Sequence, residues 1–209
     1  MKSILVFLEA TTSFKKEEKK KIEALTRRVC RDASRELGIS TPVVFTFYRF
    51  GKKNGGSTQA KDWINIRIPR GALDYKDLEG MLYHEMHHIA RGYCWYLEKG
   101  RHFLLNSLFS EGLATAFEVD KQAPSRKITH DKYTRALIEK WLPQAKNELY
   151  AKYYSYDAWF HGKGKPKQLG YKLGTHLVRE IKKHHPHLTH KELATKSAKE
   201  LLKLSKVKF

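Results

Sequence analysis

His84, Glu85 and His88 stand in the run Tyr83-His84-Glu85-Met86-His87-His88-Ile89-Ala90, an H-E-x-x-H pattern. On an α-helix, positions four apart lie one above the other on the same face. Two imidazoles so placed can each give one nitrogen to a single Zn²⁺. Glu85, beside the first of them, is left to take a proton from a water. That is the chemistry of a zinc hydrolase. Met81, Leu82 and Tyr83 before the motif, Met86 and His87 within it, and Ile89 and Ala90 after it include no Asp, Glu, Lys, Arg or Pro. Such flanks suit a helix packed into a protein around a metal, not a surface helix that happens to carry three histidines.

A catalytic zinc needs a third protein ligand. In one H-E-x-x-H pattern it lies six residues after the second histidine, with glycine at the third. Those positions here are Cys94 and Arg91, and Gly92 is one out of register. Cys94 has the chemistry to bind zinc but lacks the turn that would bring it round. The better source is a glutamate on a second helix, and Ser110-Glu111-Gly112-Leu113-Ala114-Thr115-Ala116-Phe117-Glu118 supplies it. Glu111 follows His88 by enough chain to end the first helix, turn at Gly100 and return antiparallel. Gly112 allows close helix approach at the expense of helix propensity. Glu118, two turns along on a similar face, suits an outer or surface carboxylate rather than a ligand. His87 lies about 100° round the helix from the ligands, in a packing position or behind them, and His102 falls at a helix start.

The elements that must position these groups begin with a mixed region. Residues 3–8 read as an apolar strand and 14–37 as a helix, with Ser13 as cap, Gly38 as stop and Ile22, Leu25, Val29, Ala33 and Leu37 as its buried stripe. Residues 43–50 are β-branched and aromatic, a strand, and 51–57 (GKKNGGS) read as a turn or loop. Residues 63–69 alternate cleanly, Ile64, Ile66 and Ile68 against Trp63, Asn65 and Arg67, and Pro69 predicts an edge strand. An edge strand just before the metal helix matters, because an extended peptide can pair with it and be laid across the metal. Asp74 is the expected cap of the metal helix, with Asp77 at the positive end of its dipole. Beyond residue 101 the pattern is helical over 102–118, 130–149, 170–184 and 189–204. Residues 150–168 form an aromatic and then Gly/Lys/Pro-rich connection, expected to be an ordered loop with a mobile tip near 162–167 that could cover a cleft.

Composition bounds the function. Hydrophobic residues make up 41% of the 209 positions, as in a soluble globular protein with a sizeable core. Cys30 and Cys94 form no disulfide framework. The apolar run 4–8 is too short for a signal-peptide core and no stretch approaches a membrane span, so the expected location is the cytoplasm. With 41 Lys+Arg against 22 Asp+Glu, the net charge is +19, a surface that attracts phosphates and acidic partners. The excess is scattered over Lys15, Lys16, Lys19, Lys20 and Lys21, over Lys163, Lys165 and Lys167, and near the C-terminus. No aromatic-interleaved RNA-binding motif or zinc ribbon accompanies it, so nucleic acid is a possible partner but not the favoured one, and solubility accounts for the charge equally well.

The H-E-x-x-H and E-G-x-A pair resembles the gluzincin branch of zinc metallopeptidases. More closely, residues 83–178 are similar to a family of Zn-dependent proteases catalogued mainly as a domain of unknown function. That family shares an H-E-x-H-H core (here HEMHH), a downstream E-G-L-A (from Glu111 to Ala114), and an aromatic-Phe segment followed by G-Y-x-x-G-x-x-x-V. The last pieces stand here as Trp159-Phe160 and as Gly170-Tyr171-Lys172-Leu173-Gly174-Thr175-His176-Leu177-Val178. Residues 1–70 match only in general character. The resemblance implies a zincin-like fold and His84, His88 and Glu111 as ligands, and it implies no particular substrate.

The expectation is therefore one α+β domain, residues 1–209, with lobes of 1–100 and 101–209. A small N-terminal sheet has an edge strand over the H-E-x-x-H helix, and a mostly helical lobe follows. The expected activity is hydrolysis of peptide or protein substrates, with Zn²⁺ as cofactor and Glu85 as general base. For the donor to the developing oxyanion, Tyr171 is the first choice. On a helix starting near Gly170 it shares a face with Gly174 and Val178, while His176, the weaker candidate, points well away. A SprT-like protease acting on DNA-bound proteins is the alternative that the +19 charge favours; the E-G-L-A glutamate and the missing zinc ribbon oppose it. A non-catalytic metal-stabilised binding module is a further alternative, but it would not need Glu85.

Overall fold

The computed structural model describes residues 3–9, 13–92, 103–121, 123, 135–151 and 153–209. The chain divides into two units, Met1–Leu97 with Phe117–Ser125, and Glu98–Ala116 with Arg126–Phe209. The first holds a four-stranded sheet and the second is helical among its described residues, a mixed α/β chain with a small sheet and a mostly helical remainder. No described helix is long and apolar enough to cross a membrane.

In the first unit, β1 (Ser3–Leu8), β2 (Val43–Arg49), β3 (Gly55–Ala60) and β4 (Trp63–Ile68) form a sheet in the order β1-β2-β4-β3. β1, β2 and β4 are parallel, and β3 runs antiparallel to β4. Ile64, Ile66 and Ile68 are fully buried beside Val43, Phe45 and Phe47. Each such side chain contributes about 1.5–3 kcal/mol relative to exposure. A slip of one residue would turn the whole set outward, so the register is firmly specified.

Helix α1 (Lys16–Leu37) makes the crossover from β1 to β2 and buries Ile22, Val29, Ala33 and Leu37 in the same core. Gly38 ends it in the left-handed conformation, φ 73°. Lys15 is its N-cap and no side chain caps it, so Ser13 does not have that role. Helix α2 (Tyr75–Arg91) starts where expected: the Asp74 carboxylate accepts from the backbone N–H groups of Lys76 and Asp77, at 3.0 and 3.2 Å.

One expectation about the sheet needs correcting. The strand at 63–68 is internal, between β2 and β3, and the strand over α2 at the sheet edge is β3. Its sequence, GGSTQA, has neither β-branched apolar residues nor hydrophobic alternation, and its glycines read as a turn. Pairing with β4 makes it a strand. Pro69 lies just past the end of β4 and removes no ladder bond.

In the second unit, α3 (Leu104–Asp120, which continues into the first unit from Phe117), α4 (Arg135–Glu148), α5 (Leu169–His184), α6 (His190–Thr195) and α7 (Ala198–Ser205) are helical. Leu105, Leu108, Phe109, Leu113, Trp159, Phe160, Leu173, Leu177 and Leu201 lie in its core. The helix expected over 189–204 is two helices. Thr189 with Glu192 and Ser197 with Glu200 each form a capping box, and the second box starts a new helix.

The 150–168 connection is also more built than a loop. Asp157–His161 is a π-helical turn closed by Gly162 at φ 84°. Lys165 sits over the rings of Trp159 (4.4 Å) and Trp141 (5.3 Å) and donates to Glu148 at 3.3 Å, which ties down the segment expected to be a mobile tip. Residues 130–134 of the expected 130–149 helix lie outside the described residues.

Candidate metal and catalytic site

Helix α2 is buried from Tyr83 through Ile89. His84 and His88 lie one turn apart with their rings edge-on and the centroids 4.8 Å from each other. Burying imidazoles and a carboxylate is costly unless each finds partners or a metal. The Glu85 partner is on the edge strand: Thr58 Oγ1 donates to Glu85 Oε2 at 2.8 Å. The same strand needs glycine two residues earlier. A Cβ on Gly56 would lie 2.6 Å from Glu85 Oε1, so the backbone of β3 lies directly against the carboxylate.

His84 has its outer nitrogen engaged. Nδ1 is 3.3 Å from Glu118 Oε1, and Glu118 is wholly buried, which rules out a surface role for it. With the proton on Nδ1, the ring donates to that carboxylate and keeps the Nε2 lone pair for a metal, the usual way a ligand histidine is oriented. Glu118 is held there by the end of α3. Lys121 pairs with Glu36 and with Asp32 (2.9 Å), and the Tyr83 hydroxyl donates to Asp32 at 2.9 Å. Phe117 packs edge-on to Tyr83 with centroids 5.7 Å apart. Burial and the neighbouring Asp32 carboxylate push the Tyr83 phenol pKa up, so it remains a donor. His87 is fully buried near Phe117, centroids 5.8 Å apart, a packing position.

Glu111 lies two turns before Glu118 on α3, on nearly the same face. The ligand atoms of His84, His88 and Glu111 lie within 4.8 Å of one another and all three residues are buried. Two imidazole nitrogens and one carboxylate oxygen are a donor set that fits zinc and leaves a fourth position open. Glu111 Oε1 also accepts from the Tyr156 hydroxyl at 3.1 Å. Next to it, Gly112 is required by a backbone contact: a Cβ there would lie 2.4 Å from the carbonyl carbon and oxygen of Gly174 on α5.

The remaining residues expected at the site lie on α5. Tyr171 is in its first turn, half-buried, with its ring edge-on to Phe160 at 5.2 Å. His176 is also half-buried, and burial lowers its pKa. The two are about 140° apart around the helix axis, so α5 does not present them on one face. Cys94 and His102 lie outside the described residues. Sequence spacing missed Thr58 and Tyr156: the first sits in a glycine-rich run, the second among several tyrosines with no periodic pattern.

Among solved structures, the chain is similar to an aminopeptidase N family protein from Idiomarina loihiensis, with a TM-score of 0.57 at 14% identity. The likeness covers 95% of this chain and 38% of that one, so this chain shares the fold of a part of the larger protein. No curated protein matches it in sequence. A family profile covers residues 44–203, taking in α2, Glu111 and α5. The chain therefore belongs to the family described as "Predicted Zn-dependent protease (DUF2268)".

Proposed function

We propose that the chain is a zinc-dependent peptidase of the gluzincin type, with His84, His88 and Glu111 as ligands and Glu85 as general base. The buried donor group of two imidazoles and one carboxylate, beside a glutamate that is not part of it, carries the proposal. Zinc held there would supply Lewis acidity at the scissile carbonyl. Glu85, oriented by Thr58, accepts the proton of the attacking water and passes it to the leaving amine. β3 ends the sheet order, and an extended peptide adding to it would lie along the strand that touches Glu85. The direct test incubates zinc-loaded protein with a diverse peptide library and reads new termini by mass spectrometry. Cleavage by the wild type but not by Glu85→Gln is expected. No new termini from either would leave a metal-stabilised binding module as the function.

Tyr171 is proposed as the donor that meets the developing oxyanion, ahead of His176. Losing such a donor typically costs about 10²–10³ in kcat. Tyr171→Phe should show that loss with zinc content and melting temperature nearly unchanged. Unaltered turnover would remove Tyr171 from the mechanism and turn attention to His176.

The net charge of +19 favours a second substrate class, proteins bound to DNA. In that case DNA binds with log K falling linearly with log salt, and it raises cleavage of a DNA-bound protein. Absence of binding near physiological salt assigns the charge to solubility.

A further inference from the structure

We infer that Tyr156 is a positioning residue for the metal ligand Glu111, an inference that rests on the zinc-site assignment above. Its hydroxyl donates to Glu111 Oε1 at 3.1 Å. A carboxylate on a helix can rotate about its terminal bond and offer either oxygen. A donor fixed on one oxygen restrains that rotation and presents the ligand in one orientation. Such outer partners are what hold metal ligands in geometry.

The surroundings of Tyr156 are built to fix its hydroxyl. The ring stacks on Phe160 with centroids 4.3 Å apart and planes at 18°. Phe160 is 1% exposed and lies in the π-helical turn that starts directly after Tyr156; π turns in helices are often found at functional sites. Phe160 is seated in turn on α5. A Cβ on Gly170 would lie 2.4 Å from Phe160 Cε1, and Tyr171 packs edge-on to the same ring. Gly174, one turn further along α5, is in backbone contact with Leu108 and Gly112 of α3. The Trp-Phe and G-Y-x-x-G segments therefore act together. They clamp α5 to α3 and hold the aromatic pair whose tyrosine reaches Glu111.

The test measures zinc affinity by competition with a chromophoric chelator for the wild type, Tyr156→Phe and His88→Ala. The visible spectrum of the cobalt-substituted forms and the melting temperatures of the metal-free forms are recorded alongside. Tyr156→Phe keeps the ring stack and loses only the donor. It should bind zinc about 10–100-fold more weakly and alter the cobalt spectrum, with the metal-free melting temperature nearly unchanged. Wild-type affinity and an unchanged cobalt spectrum in Tyr156→Phe, with His88→Ala defective, would overturn the role of Tyr156 alone. Equal zinc binding by the wild type and His88→Ala would overturn the metal site itself, and the inference with it.

Discussion

Glu85→Gln should lower peptide turnover by about 10²–10⁴-fold, the range that a positioned general base supplies, while the protein still holds zinc. The amide has nearly the shape of the carboxylate, and its oxygen can still accept the hydrogen bond that Thr58 Oγ1 now gives to Glu85 Oε2. What it cannot do is take a proton. His84, His88 and Glu111 are untouched, so metal content measured on the purified variant should match the wild type. His88→Ala is the contrasting case, because it removes one of three buried donors and should lose metal and turnover together. Wild-type turnover in Glu85→Gln would show that another group activates the water. Loss of zinc in that variant would place Glu85 among the ligands instead.

A substitution where α3 and α5 cross should destabilise the second unit. In Gly174→Ala the new Cβ would stand 2.0 Å from the Leu108 carbonyl oxygen and 3.1 Å from the Gly112 nitrogen. Overpacking usually costs about 1–3 kcal/mol. Here the opposing atoms are backbone and cannot swing aside, so the cost belongs at the upper end or beyond. The gain in helix propensity on replacing glycine by alanine, about 1 kcal/mol, is too small to offset it. A fall in melting temperature on the order of 5–10 °C is expected for a chain of this size. Gly71→Ala serves as the control, because nothing lies within 4 Å of its Cβ position, and its effect should stay within about 0.5 kcal/mol. If Gly174→Ala melted at or above the wild type, the close crossing of α3 and α5 would be wrong.

Short-range chemistry in the chain was enough to nominate the first half of the candidate site. Two histidines four apart with glutamate between them specify a helix face and a proton acceptor before any fold is known. Asp74 and Gly92 bound that helix, as their capping preferences require, and the alternation of Ile64, Ile66 and Ile68 puts β4 into the core. Glu111 could be placed near His84 and His88 because it stands on a second helix with enough chain to return, beside a glycine that permits close approach; the three are grouped, and Gly174 is the backbone that comes close. The break between α6 and α7 was missed: the Ser197/Glu200 pair is a capping box that starts a new helix, and the single helix expected over 189–204 took no account of it.

Tertiary structure alone decided which strand faces Glu85 and what holds His84 and Glu111. Thr58 meets Glu85 across 27 positions, Glu118 meets His84 across 34, and Tyr156 meets Glu111 across 45. Hydrogen bonds at such separations leave no periodic trace, because each partner is locally an ordinary residue. β3 shows the same cause most plainly. Its glycine-rich stretch has little strand propensity, and it becomes an edge strand because β4 supplies the pairing and because only a glycine at 56 lets the backbone lie against the Glu85 carboxylate.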